Sequence, residues 1–170
     1  KDLTDPRAHF CVGSALQLPF GDAAFDTVVS WEVIEHVPKN TEPAMFREAY
    51  RVLRPGGSYY LSTPHSSLLC NIADPAWWLI GHRHYSVDRL RRLAEENGFE
   101  VLQTHVKGGG WSIMADLDMY VSKWVLRRRP VFEAFTRSKQ GKEFSRNGGF
   151  VNAFVKCQKP LAPGSCASYC

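Results

Sequence analysis

The chain has 170 residues, 44% of them hydrophobic, with ten Phe, six Tyr and five Trp. That is enough apolar material for one domain with a sizeable core, and it argues against disorder. The net charge of +4 is unevenly spread: from Lys123 to Arg146, eight Lys or Arg face only Glu133 and Glu143, a local +6, while 13 basic and 15 acidic residues elsewhere give −2. No apolar run approaches the roughly 20 residues of a membrane-spanning helix.

In chain order, His9–Val12 (HFCV) reads as a short buried strand ending at Gly13, and Phe25–Val29 (FDTVV) as a second. Asn40 or Thr41 can cap a helix running to Leu53, with Phe46, Ala49, Tyr50 and Leu53 on one face. Arg54-Pro55-Gly56-Gly57 should end it, because proline cannot continue the hydrogen bonding and glycine permits a reversal. Ser58–Ser62 (SYYLS) is the next strand. Ser86 caps a helix with Val87, Leu90, Leu93 and Ala94 along its stripe, closed by Asn97-Gly98, and a strand follows at Phe99–Val106. A further helix is expected from Trp111 to Arg128, with Met114, Leu117, Val121 and Trp124 on one side. Gly148-Gly149 then introduces a last strand, Phe150–Cys157. Residues 1–159 form the domain, with a helical basic insertion at about 108–148, and residues 160–170 form a frayed tail rich in Pro, Gly and Ser.

Apolar strands alternating with helices predict an α/β fold with a largely parallel sheet covered on both faces. Ligands bind such sheets beyond the carboxyl ends of the strands. Those ends are Gly13-Ser14-Ala15, Ser30–His36 and Ser62-Thr63-Pro64-His65, all polar or small. The five cysteines (Cys11, Cys70, Cys157, Cys166, Cys170) show no CxxC pair, and Cys11 and Cys157 fall in apolar runs. No metal or disulfide framework is expected from them, which fits a reducing, cytoplasmic setting.

The run GSALQLPFGDAAFDTVVSWEVIEHV, then LRPGGSYYLSTP, then HRHYSVDRLRRLAEENGFEV, resembles the class I S-adenosylmethionine (SAM)-dependent methyltransferases, in their small-molecule and quinone branch. The resemblance covers residues 8 to 106. It rests on the ordered series LPF, FD, EHV, LRPGG and GF rather than on any one piece. It implies a Rossmann-like sheet with the last strand antiparallel, SAM across the strand ends, and methyl transfer to a small-molecule acceptor, most simply through oxygen. It also implies that Ser14, Ala15, Ser30 and Trp31 contact the cofactor. Relatives usually carry Asp at the position of Ser14, and a hydroxyl is a weaker acceptor than a carboxylate. Relatives also open with a glycine-rich loop and an acidic residue for the ribose, and nothing before His9 matches either. Two βα units, about 25–30 residues each, are therefore expected upstream, with weak SAM binding and a bare sheet edge in the chain as it stands. A non-catalytic binding domain on the same shell is the alternative.

SWEVIEHV (30–37) places Glu32, Glu35 and His36 where the FDTVV strand stops. His36 could act as a general base on an acceptor hydroxyl, with Glu35 beside it. Alternatively, E-x-x-E-H resembles the metal-binding pattern of small-RNA 2′-O-methyltransferases and ubiquinone-pathway O-methyltransferases. One helical turn would then bring the three together, with His82 or His84 completing a Mg²⁺ or Mn²⁺ site for an RNA or quinone acceptor. The plainest reading makes Glu32 and Glu35 solvated carboxylates in a first helical turn, with His36 packed at the sheet rim. His65 could face substrate or close a turn, Tyr85 could stand on the rim of the site, and Trp77-Trp78-Leu79-Ile80 could be a lid or an anchor. The basic insertion could meet a membrane surface, RNA phosphates or solvent alone.

Overall fold

The computed structural model describes residues 5–74, 77, 81–146 and 148–161. Cys166, Cys170 and the 162–170 part of the tail, together with Trp78-Leu79-Ile80, lie outside the described residues. Its elements are β1 (Phe25–Trp31), α1 (Glu42–Val52), β2 (Leu53–Pro64), α2 (Leu68–Ala73), α3 (Val87–Glu96), β3 (Glu100–Lys107), α4 (Gly110–Tyr120), α5 (Glu133–Ser145) and β4 (Asn152–Gln158). A π-helical turn, Val121–Val125, extends α4.

The described sheet has the order β1-β2-β4-β3. β1 and β2 pair in parallel, while β4 runs antiparallel to both β2 and β3. The expectation of mostly parallel pairing is corrected here: β1, β2 and β3 share one direction, but the reversed last strand lies between two of them and makes two of the three pairings antiparallel. On β4, Ala153, Val155 and Cys157 are buried and alternate with half-buried neighbours, as a period-two strand requires. The buried set packs with Met45, Phe46 and Ala49 of α1 and Leu90, Leu93 and Ala94 of α3. Phe46, Tyr59 and Phe99 join this core through ring centroids 5.6 to 6.4 Å apart. Burial pushes the Cys157 thiol up to about 12, so it is an inert core residue. The opposite sheet face is only half-buried among the described residues, where Lys156 lies over the Tyr60 ring.

Several boundaries differ from expectation. His9–Val12 forms no strand; Phe10 is 72% exposed and Val12 fully so, and Cys11 is exposed as well. Those apolar residues have no partner strand among the described residues, and apolarity without pairing does not make a strand. The chain passes from α1 directly into β2, and the register jumps from Phe25↔Leu53 to Thr27↔Ser58. The Pro-Gly-Gly reversal is thus a bulge inside the strand. Gly57 is required there, since a Cβ would come within 3.0 Å of the Asp26 carbonyl oxygen.

The insertion leaves the sheet between β3 and β4 through a tight neck. Phe150 and Val151 donate backbone hydrogen bonds to Gly108 and Lys107, and a Cβ on Gly149 would meet the Lys107 backbone at 2.6 Å. α4 has glycine at its N-cap and no capping side chain of its own. Glu143 of α5 supplies the acceptor instead, taking the Gly109, Trp111 and Ser112 amides and the Ser112 hydroxyl, each at 3.0 Å. Burial would raise that carboxyl, but these hydrogen bonds outweigh it and hold it below the usual range.

Candidate active site

SWEVIEHV is a turn rather than a helix. Glu32 takes a left-handed backbone (φ 53°), and the His36 amide bonds back to the Val33 carbonyl at 2.9 Å. This geometry sends the three side chains in different directions. Glu32 accepts from Ser62 Oγ at 2.5 Å and from Asn152 Nδ2 at 3.2 Å. Glu35 turns inward, only 4% exposed, and accepts from Thr63 Oγ1 at 3.0 Å. His36 turns outward, its side chain 62% exposed, with Nε2 3.9 Å from Glu35 Oε1. Neither the grouping on one helical face nor the picture of solvated first-turn carboxylates describes this arrangement.

Glu35 is the perturbed group. Burial pushes its carboxyl up to about 7; the nearby Glu32 adds to that, and hydrogen bonds and His82 only partly offset it. Its Oε1 has no hydrogen-bond partner among the described residues. A buried carboxyl poised near neutrality can accept or release a proton under ordinary conditions.

Next to it, the HRH segment (82–84) sends Arg83 to one side and its two histidines to another. Arg83 points back into the turn and donates to the carbonyls of Ile34, Glu35 and Val37 and to Glu42 Oε1. Glu42, 2% exposed, also accepts from the Tyr85 hydroxyl at 2.9 Å. Burial would raise the Glu42 carboxyl; the hydrogen bonds it accepts and the charges of Arg83 and Arg89 hold it lower than usual. Tyr85 is therefore a core residue, 1% exposed, and not a rim residue. His65 closes a bridge to Tyr85, with its Nδ1 3.4 Å from the Phe150 carbonyl. Trp77 rests against His84, ring centroids 5.0 Å apart.

His82 and His84 face the other way, into a cavity of about 420 Å³ beyond the ends of β1 and β2. Glu32, Pro64 and Asn152 come from the strand ends, Cys70 and Asp74 from α2 and the residue after it, and Ile113, Asp116 and Tyr120 from α4. Burial raises Asp116 to about 6, with Asp74 and Glu32 adding to the effect. Burial also lowers His84, against the pull of Asp74. Asp74 and Asp116 were not singled out from the sequence, because each is a lone carboxylate in a connection or insertion whose place only the fold reveals. The stripe expected on α4 is turned around: Ile113, Asp116 and Tyr120 face the cavity, while Met114, Leu117, Val121 and Trp124 are exposed.

A second, smaller cavity of about 190 Å³ lies against β1 and α1. It brings together Ala15, Ser30 and Trp31 with Val28, Met45 and Tyr59. Ser14 is not in its lining; the Ser14 hydroxyl accepts from the Leu16 amide at 3.2 Å within a local turn. Trp31 leaves half its surface open, and its indole edge meets Phe154 at 6.2 Å. Such an indole offers a flat stacking face beside a cleft at the strand ends.

Comparison with known proteins defines the class. Residues 1–61 match the family model described as "Methyltransferase domain". A probable SAM-dependent methyltransferase of Mycolicibacterium smegmatis is 37% identical over 100 residues, which cover 58% of this chain and 38% of that protein. The 27-O-demethylrifamycin SV methyltransferase of Amycolatopsis mediterranei is 43% identical over 53 residues, covering 31% of this chain and 19% of the relative. Among solved structures, Haemonchus contortus phosphoethanolamine N-methyltransferase 2, bound to phosphomonomethylethanolamine and S-adenosylhomocysteine, superposes with a TM-score of 0.59 at 18% identity, over 88% of this chain and 37% of that one. Over these segments the chain is similar to SAM-dependent methyltransferases, and it shares the fold of the solved structure. It spans well under half the length of these relatives.

Proposed function

We propose that this chain carries the acceptor side, and part of the cofactor side, of a SAM-dependent methyl-transfer site acting on a small molecule through oxygen. The smaller cavity would take part of SAM, with Trp31 stacked on it and Ala15 and Ser30 at its wall. The larger cavity would take the acceptor, held between apolar walls (Ile113, Phe144, Phe154) and acidic or imidazole groups. Its mixed lining suits a largely apolar molecule bearing a hydroxyl.

The observation that carries this reading is Glu35. Methyl transfer from a sulfonium to a hydroxyl requires that the oxygen lose its proton as the bond to carbon forms. Glu35 is buried, titrates near 7 and keeps one oxygen without a hydrogen-bond partner. His82 stands between it and the acceptor cavity, and ligand atoms of Glu35, His36 and His82 lie within 4.8 Å of one another. Glu35 takes up the proton, and the outward His36, its Nε2 3.9 Å from Glu35 Oε1, exchanges it with solvent. The choice of SAM as donor rests on the resemblance to SAM-dependent methyltransferases, and the choice of oxygen on the buried carboxyl of Glu35.

The test is transfer from methyl-labelled SAM to a panel of hydroxyl and amine acceptors, with Glu35→Gln alongside. The variant should lose about 10²- to 10⁴-fold in kcat and keep its affinity for S-adenosylhomocysteine. Unchanged kcat on a hydroxyl acceptor would sink the base assignment, and transfer to amines alone would sink the choice of oxygen.

A further inference from the structure

We propose that Asp74, His82 and His84 form a binding site for a divalent first-row transition-metal ion in the wall of the larger cavity. Their ligand atoms all lie within 4.8 Å of one another. Asp74 Oδ2 is 2.9 Å from His84 Nε2 and 3.1 Å from His82 Nδ1, so one carboxylate oxygen faces two ring nitrogens. The three side chains are 18%, 14% and 1% exposed in the order Asp74, His82, His84.

The convergence of Asp74, His82 and His84 carries the proposal, and the hydrogen bonding around His84 suits it. Its Nδ1 lies 2.7 Å from Asn71 Oδ1, and in the uncharged ring with the proton on Nδ1 this is a hydrogen bond to the amide oxygen. In that tautomer Nε2 directs its lone pair toward Asp74 Oδ2 at 2.9 Å, a gap that either a proton or a metal ion fills. A metal ion there would bond to both Nε2 and the carboxylate oxygen. Asn71 then has the role that outer groups take at metal-bound histidines, fixing the tautomer and aiming Nε2 at the metal.

The backbone supports the same arrangement. In the HRH segment both imidazoles line the cavity, while Arg83, tied to three carbonyls of the 34–37 turn, anchors the segment from behind. Two imidazoles and one carboxylate suit Mn²⁺, Fe²⁺, Co²⁺ or Zn²⁺ better than Ca²⁺ or Mg²⁺, and they leave coordination positions open toward the cavity for water or a substrate oxygen. Glu35, His36 and His82 also converge, but His36 is 62% exposed and its nearest approach to Glu35 is 3.9 Å. Glu32, part of the pattern read in the sequence, belongs to neither group.

The site is tested without SAM, so its failure and that of the methyl-transfer reading are separable. Chelator-treated protein is titrated with Co²⁺ and followed by visible absorption, with melting curves to confirm that each variant is folded. One equivalent should bind and give ligand-field bands. Asp74→Asn and His84→Gln should abolish them, Asn71→Ala should weaken binding roughly 10- to 100-fold, and His36→Ala should leave it unchanged. Should Asp74→Asn or His84→Gln fail to fold, the contrast between Asn71→Ala and His36→Ala decides. Absence of bands in the wild type, bands that survive in folded Asp74→Asn or His84→Gln, or loss on His36→Ala in place of Asn71→Ala would each overturn the proposal.

Discussion

The sheet with α1 and α3, and the insertion at 108–149, are stabilised in opposite ways. The first buries continuous apolar stripes: Met45, Phe46 and Ala49 on α1 and Leu90, Leu93 and Ala94 on α3 meet Leu61, Val155 and Cys157. The second buries little. Met114, Leu117, Trp124, Phe132 and Phe135 are all 39 to 61% exposed, and the buried residues of α4 and α5 are Ser112 and Thr136. What ties α4 to α5 is the Glu143 carboxylate, the Trp111–Phe135 ring pair at 5.4 Å and Lys139 over both rings. A packed core tolerates the loss of one contact by sharing it among neighbours. A polar clamp does not.

The largest expected effect lies at the seam between the core and the site. Arg83→Ala leaves Glu42, 2% exposed, with only the longer 3.5 Å contact to Arg89 and frees the carbonyls of the 34–37 turn. Removing one partner of a buried pair costs about 3–5 kcal/mol, read as a lower midpoint in urea. By contrast Arg137→Ala breaks the exposed pair with Glu133 (78% and 52% exposed). It should change stability by less than about 0.5 kcal/mol.

Of intermediate size, Glu143→Ala strips the acceptor from four donors at the start of α4. A loss of about 1.5–3 kcal/mol, confined to the insertion, should show as faster amide exchange at Gly109–Ser112 with the Phe46 and Leu61 amides unchanged. Equal acceleration in both regions would show that the insertion and the core unfold as one unit.

Glu35 gives a pH dependence with a definite sign. Its folded carboxyl titrates at about 7, above the ordinary 4.5. Below 4.5 the group is protonated in both states. As pH rises toward 7 the unfolded chain ionises first, so stability is lost across that window, by an amount on the order of 3 kcal/mol at about 1.4 kcal/mol per pKa unit. Glu35→Gln should flatten that slope. An unchanged slope would place the titrating group elsewhere.

The same contrast explains what the sequence could show. α3 was legible to its caps, because Ser86 and Asn97-Gly98 flank a clean stripe and the Gly98 backbone at φ 90° admits few other residues. β2 and β4 were legible in place but not in pairing, since no local pattern tells the last strand to enter between two others. His9–Val12 misled because its apolar residues carry no record of whether a partner strand is present. In the site, the carboxylates and histidines of SWEVIEHV were legible as residues. Their orientations depend on a left-handed Glu32 and an arginine 48 residues downstream of Glu35. The α4 stripe was assigned to the wrong side because an insertion that packs through a clamp does not advertise its inner face by hydrophobicity.

The central proposal is that Ser30 and Trp31 at the end of β1, with Ala15 beside them, hold the methyl donor. Ultraviolet cross-linking of methyl-labelled SAM to the protein, followed by peptide mapping, addresses it directly. Label on the peptides containing Ala15 or Trp31, competed away by S-adenosylhomocysteine and lost in Trp31→Ala, is the predicted result. Competed label confined to other peptides, or retained in full by Trp31→Ala, would contradict it.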